Sequence, residues 1–185
     1  NFKRLSFREK VICDEVEKLT GCRGEVVLDP SLLLNFKDWD KLTTHNIVKR
    51  KYILTYFLHE ESSDPKFKKK VQQFAQRQGF ELIDMFDIAY SPINFLNAIK
   101  YAECVLAASF HAVAFSILFQ KTFYALKTND GKDIRYINLM EELGLDRLIE
   151  SNDLPNLCPT VIDYKTVNNK LKELKIDSLE YLKKL

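Results

Sequence analysis

The chain has 185 residues, of which 46% are hydrophobic and 29% charged, and its formal charge at pH 7 is +2. This size and apolar content suffice for one well-buried α/β domain. A net charge so close to zero disfavours a dedicated nucleic-acid binder, and no apolar run approaches the length of a transmembrane segment. The cysteines form no C-x-x-C pair and have no histidine at zinc spacing, so we expect reduced thiols and no metal site.

The first helix is predicted from a capping signal near the start of the chain. Ser6 and Glu9 have the spacing of a capping box, which places the beginning of the helix at Ser6. Ile12, Val16 and Leu19 then follow at helical spacing and are expected to form its buried face.

Strand-like and helix-like segments alternate along the rest of the chain. Short apolar or β-branched runs predict strands at 25–28, 52–58, 80–83, 105–108 and 123–126. Helices are predicted between them, and two begin at the proline-containing caps Asp64-Pro65 and Ser91-Pro92. This alternation predicts a parallel sheet of about five strands over residues 6–150, with helices on both faces. Further helical patterns occupy 161–185.

The stretch from Cys104 to Phe123 is the most informative part of the chain. A buried strand breaks at Ser109-Phe110-His111 and is followed at once by a helical apolar pattern. Ligands of open α/β sheets bind beyond the C-terminal ends of strands, where the N–H groups of a following helix can hold an anion. The alternative is a core histidine bonded to a backbone carbonyl, and position alone favours neither. Neither type of glycine-rich phosphate loop is present.

Several segments, in this order, resemble the polysaccharide pyruvyl transferase family. They are SFREK at 6–10, VLDPSLLL at 27–34, YILTYFL at 52–58, SPINFL at 91–96, ASFHAVAFS at 108–116 and RYINLMEELGLDR at 135–147. Each segment is weak by itself, but their shared order over residues 6–150 makes the resemblance specific.

The resemblance implies transfer of the enolpyruvyl unit of phosphoenolpyruvate (PEP) to two sugar hydroxyls, which gives a pyruvate ketal in a surface glycan. Family members resemble two-domain proteins of the glycosyltransferase-B type, and this chain corresponds to the C-terminal half. We therefore expect a Rossmann-like donor-binding domain over 1–160 and C-terminal helices over 161–185. The implied partners are PEP, a glycan or lipid-linked sugar acceptor, and the N-terminal domain of the same protein. No cofactor is implied, and the expected location is cytoplasmic, including the inner face of the membrane.

The resemblance also assigns roles to particular residues. His111 becomes the general acid, because an imidazole can donate a proton near neutral pH. Arg8, Ser109 and Arg135 become substrate-binding residues, with the arginines suited to phosphate or carboxylate. Arg8 has an alternative role as an exposed arginine at a helix start, and Arg135 as a salt-bridge residue. Asp29 either caps the turn before the following proline or takes part in catalysis.

One departure from the family pattern weakens the donor assignment. Many members carry arginine and leucine before the histidine and glycine after it, whereas here Ser109 and Phe110 precede it and Ala112 follows. One expected donor contact is therefore absent. Two other functions stay open: a glycosyltransferase that uses a sugar nucleotide in the same cleft, and a non-catalytic interaction module on the same fold.

Overall fold

The computed structural model describes residues 4–43, 45–58, 64–128, 131 and 133–184. The strands are β1 Ser6–Phe7, β2 Glu25–Val26, β3 Tyr52–Phe57, β4 Glu81–Asp84, β5 Cys104–Ala108, β6 Thr122–Leu126 and β7 Leu148–Ile149. The helices are α1 Lys10–Thr20, α2 Pro30–Leu33, α3 Phe36–Asp40, α4 Pro65–Gln78, α5 Met85–Ile88, α6 Pro92–Tyr101, α7 Phe110–Leu118, α8 Ile134–Leu143 and α9 Tyr164–Lys183. A 3₁₀ turn covers Leu154–Asn156.

The main sheet has five parallel strands in the order β4-β3-β5-β6-β7. Side chains alternate between its two faces, so that Ile53 and Leu106 pack with α4 while Leu54, Val105 and Phe123 pack with α6 to α9. The predicted parallel α/β sheet with helices on both faces is therefore confirmed. The strand order is that of flavodoxin-like doubly wound sheets, in which ligands bind at the C-terminal ends of the strands.

The prediction of a main-sheet strand at 25–28 was wrong. Only Glu25–Val26 is extended, and it pairs with Ser6–Phe7 in a separate two-stranded parallel sheet. The fifth strand of the main sheet is Leu148–Ile149, which the sequence did not predict. A strand of two residues is too short to show an alternating or continuous apolar pattern.

The capping box proposed for α1 was also wrong. Ser6 lies in β1, and the helix begins at Lys10 after Glu9, whose side chain makes no capping bond. The predicted buried face is largely exposed, since Ile12 is 43% and Leu19 85% exposed. The helix is instead packed through Cys13, which is buried and donates from Sγ to the Gly24 carbonyl at 3.3 Å.

The end of the chain forms one helix where the pattern suggested more than one. α9 runs from Tyr164 to Lys183 because no glycine or proline interrupts it, and Val167 and Leu171 belong to the main core. The domain boundary at residue 160 stays a prediction. Within the described ranges, no helix has the length and hydropathy needed to cross a bilayer.

Candidate functional site

The first turn of α7 lies at the C-terminal end of the central strand β5. Ser109 follows the strand in extended conformation and is the N-cap residue, but its side chain makes no capping hydrogen bond. His111 is exposed, whereas every residue from Ala112 to Leu118 is buried. The exposure of His111 excludes the core-histidine alternative. The first-turn N–H groups of α7, which lack helical partners by geometry, lie at the same place.

Asp29 connects Arg8 to the neighbourhood of His111. It is 5% exposed and forms an ion pair with the Arg8 guanidinium, whose side chain is 40% exposed. It also caps α2, accepting from the Ser31 backbone N–H at 2.9 Å and from the Ser31 hydroxyl at 2.7 Å. Burial raises the pKa of the Asp29 carboxyl, but the Ser31 and Arg8 hydrogen bonds and the nearby charge of His111 outweigh it and hold this pKa below its ordinary value.

Arg135 reaches the same turn from α8. Its Nε donates to Glu9 Oε1 at 2.8 Å, and its guanidinium carbon lies 4.7 Å from the centre of the Phe110 ring. The Phe110 ring in turn meets the His111 ring edge-on at 5.5 Å between centroids. Arg135 thus forms a salt bridge, while its buried Nη2 has no hydrogen-bond partner among the described residues. Its part in substrate binding stays a prediction.

A groove of about 510 Å³ brings these elements together. Arg8, Asp29, Phe110 and Arg135 line it. Ser109 and His111 are not among its lining residues; they are the sequence neighbours of Phe110 at the start of α7. The lining is predominantly acidic, because its carboxylates outnumber Arg8, Lys10 and Arg135; they belong to Glu9, Asp14, Asp29, Glu141, Glu142 and Asp177. Burial raises the pKa of Glu142 above its ordinary value. A multiply charged anion is therefore better placed at the α7 end of the groove than along its acidic wall.

The sequence did not identify two residues that organise this site, Glu9 and Phe110. The capping-box spacing gives Glu9 a partner three residues away, whereas its partner in the structure, Arg135, is 126 positions away. No local pattern predicts such a pairing. Within the part of the chain that the structure describes, no group of three or more metal-ligating side chains is present.

A sequence profile described as polysaccharide pyruvyl transferase matches residues 1–130, which is more than half of the chain. The chain belongs to the polysaccharide pyruvyl transferase family. The matched range includes Arg8, Asp29, Ser109 and His111, whereas Arg135 lies beyond it.

Other comparisons add little to this membership. No curated protein matches the chain. Among solved structures, a crystal structure of the RPS4 and RRS1 TIR domain heterodimer is similar, with a TM-score of 0.37 and 12% identity, covering 67% of this chain and 95% of that one. At this TM-score the similarity carries no inference about the chain.

Proposed function

We propose that the chain is the donor-binding part of an enzyme that transfers the enolpyruvyl unit of PEP to two hydroxyls of a sugar, forming a pyruvate ketal in a surface glycan. Family membership supports the reaction class. The observation that carries the assignment of the site is the exposed His111 in the first turn of α7, at the C-terminal end of β5.

The donor would be held at the α7 end of the groove. The phosphate and carboxylate of PEP need hydrogen-bond donors and positive charge, which the helix N-terminus and a protonated His111 supply. Arg8 is half in solvent, and a guanidinium has five N–H donors, so its ion pair with Asp29 leaves donors free for an anion. Ser109 would contribute at most its backbone and a hydroxyl from a buried position. Arg135 would mainly fix Phe110 and thereby the turn that carries His111.

His111 would act as the general acid of the reaction. Its proton would go to the methylene carbon of PEP, which becomes the methyl group of the ketal, while a sugar hydroxyl oxygen bonds to the adjacent carbon. Phosphate would then leave with the electrons of its C–O bond, and the second hydroxyl oxygen would bond to the same carbon. Of the two protons lost by the hydroxyl groups, one would restore the proton of His111 and the other would leave with the phosphate. The Asp29 carboxylate lies near enough to His111 for their charges to interact.

The acceptor would be bound largely outside this chain. In a glycosyltransferase-B-type enzyme the reaction takes place in the cleft between two domains, so an N-terminal domain of the same protein would hold the glycan or lipid-linked sugar. Orientation of two reactants can supply about 7–11 kcal/mol of rate enhancement. We therefore expect these 185 residues to bind PEP weakly and to give no measurable transfer by themselves.

The experiment is a comparison of ligand binding and turnover. PEP and a nucleotide sugar are each titrated into this chain, and phosphate release from PEP with a glycan acceptor is measured with the chain alone and together with the N-terminal domain. PEP binding by the chain and turnover only in the two-domain protein are expected. Binding of the nucleotide sugar without PEP binding would favour the glycosyltransferase alternative. Binding of neither, with no turnover in the two-domain protein, would favour the non-catalytic module.

A further inference from the structure

We propose that Asp29 is a positioning residue of this site, whose carboxylate holds the Arg8 guanidinium beside the first turn of α7. The inference rests on the proposed function, because it assigns Asp29 a part in binding the donor anion through Arg8. A turn cap alone would have no such part.

The small sheet is what brings Arg8 and Asp29 together. β1 and β2 are parallel neighbours, and their pairing continues beyond the strands through a bond from the Val27 N–H to the Phe7 carbonyl at 2.8 Å. Arg8 follows β1 and Asp29 follows β2, so both residues leave the same end of the sheet. The pairing of β1 with β2 thus places the Arg8 guanidinium within ion-pair distance of the Asp29 carboxylate.

The two oxygens of Asp29 have different partners. Oδ1 accepts both bonds from Ser31 and forms the cap of α2, while Oδ2 accepts from Arg8. Asp163 provides a useful contrast, since it caps α9 by bonds from the Lys165 N–H at 3.1 Å and the Thr166 hydroxyl at 2.6 Å. Asp163 is exposed and has no arginine partner among the described ion pairs. Capping therefore accounts for one oxygen of Asp29 and leaves its ion pair with Arg8 unexplained.

The position of α2 places the same carboxylate next to His111. α2 packs against α7, with Leu32 fully buried in the core that they share. Asp29 is the N-cap residue of α2, and His111 is the second residue of α7. The buried Asp29 carboxylate thus contacts Arg8 directly and lies near enough to His111 for their charges to interact. Among the described residues, Asp29 is the one group that bonds to the Arg8 guanidinium, so without it the exposed Arg8 side chain would lose that anchor.

The test compares Asp29→Asn with Asp163→Asn, which removes the same charge from the same kind of cap elsewhere. Two quantities are measured in this chain: the order of the Arg8 guanidinium by ¹⁵N NMR, and the Kd values for PEP and for inorganic phosphate. Asp29→Asn should abolish the ordered Arg8 signal and weaken PEP binding about tenfold or more, the effect typical of losing a charge-assisted contact. Asp163→Asn should change neither. In an Arg8→Gln background, Asp29→Asn should cause no further weakening, because Asp29 acts through Arg8.

Several results would overturn the inference. They are an ordered Arg8 in Asp29→Asn, unchanged or tighter PEP binding in that variant, and equal weakening by Ser31→Ala, which removes only a capping bond. If Asp29→Asn does not fold, Asp29→Glu keeps the charge but shifts the carboxylate by about one C–C bond, ~1.5 Å. The same loss of Arg8 order is then expected, and retained order would refute positioning. If the wild-type chain binds neither PEP nor phosphate, the proposed donor site fails, while the Arg8 signal still decides the role of Asp29.

Discussion

Replacing His111 with alanine should separate chemistry from folding. The His111 side chain is exposed, and its ring meets the Phe110 ring edge-on, so its removal should change the free energy of unfolding by no more than about 1 kcal/mol. If His111 is the general acid, turnover of the two-domain enzyme should fall by roughly 10²–10⁴. At about 1.4 kcal/mol per tenfold, this corresponds to roughly 2.7–5.4 kcal/mol of lost transition-state stabilisation.

Phe115→Ala is the matched control in the same helix. The Phe115 ring is 6% exposed and packs edge-on against Trp39 at 5.0 Å and Phe95 at 6.0 Å. Its truncation should cost about 3–5 kcal/mol of stability. Urea unfolding and PEP-dependent phosphate release are measured for both variants. A loss of more than 2 kcal/mol in stability for His111→Ala, or turnover within about threefold of wild type, would refute the assigned role.

Three further predictions concern buried groups. Because the folded pKa of Asp29 lies below the ordinary value of about 3.9, its charged form contributes stability above that pH and loses it as pH falls through the folded pKa. In urea titrations, the free energy of unfolding of wild type minus that of Asp29→Asn should be constant above about pH 5 and shrink below about pH 4. A free-energy difference undiminished at about pH 2 would contradict this. Asn97 is fully buried with both amide atoms unpartnered among the described residues, so Asn97→Leu should stabilise by about 1–3 kcal/mol on urea unfolding, and a loss of stability would argue for a hidden partner. Cys22 and Cys158 are exposed, whereas Cys13 and Cys104 are buried, and burial raises the pKa of the Cys104 thiol to about 12. Ellman's reagent should therefore modify the two exposed thiols in the native chain and the two buried thiols only after unfolding.

Four of the five strands of the main sheet could be predicted because their signals are local. The proline-containing caps begin helices where expected, with Asp64 accepting from the Lys66 N–H at 3.0 Å and Ser91 from the Asn94 N–H at 3.1 Å. The strand at Tyr52–Phe57 and the strand–helix junction at Ser109 likewise follow from short apolar runs. Both kinds of pattern are visible in the sequence: a cap and the N–H group it bonds lie within three residues of each other, and an apolar strand is one continuous run.

The start of the chain could not be predicted in the same way. Ser6 satisfies the rule for a helix cap and also fits a strand, and pairing with Glu25 decides between them. The exposed face of α1 shows the same limit, because amphipathic spacing identifies an apolar face without identifying what covers it. The sequence left two roles open for Asp29, and the structure gives it both a cap and an arginine partner.

The pairing of the candidate arginines explains how this site could bind a donor selectively. Arg8 forms an ion pair with Asp29, and Arg135 forms one with Glu9. Because each guanidinium charge is already balanced by a carboxylate, neither attracts anions without regard to their shape. An incoming anion must draw on the remaining guanidinium N–H groups and on the N–H groups at the start of α7, which have fixed directions. Its affinity then depends on matching several donors at once rather than on net charge, and the surrounding acidic wall penalises anions that extend further into the groove. A compact phosphate or carboxylate held at α7 next to His111 meets these conditions. A longer anionic ligand that extended along the groove would meet the carboxylates that line it, including those of Glu141 and Glu142, and would be repelled by them.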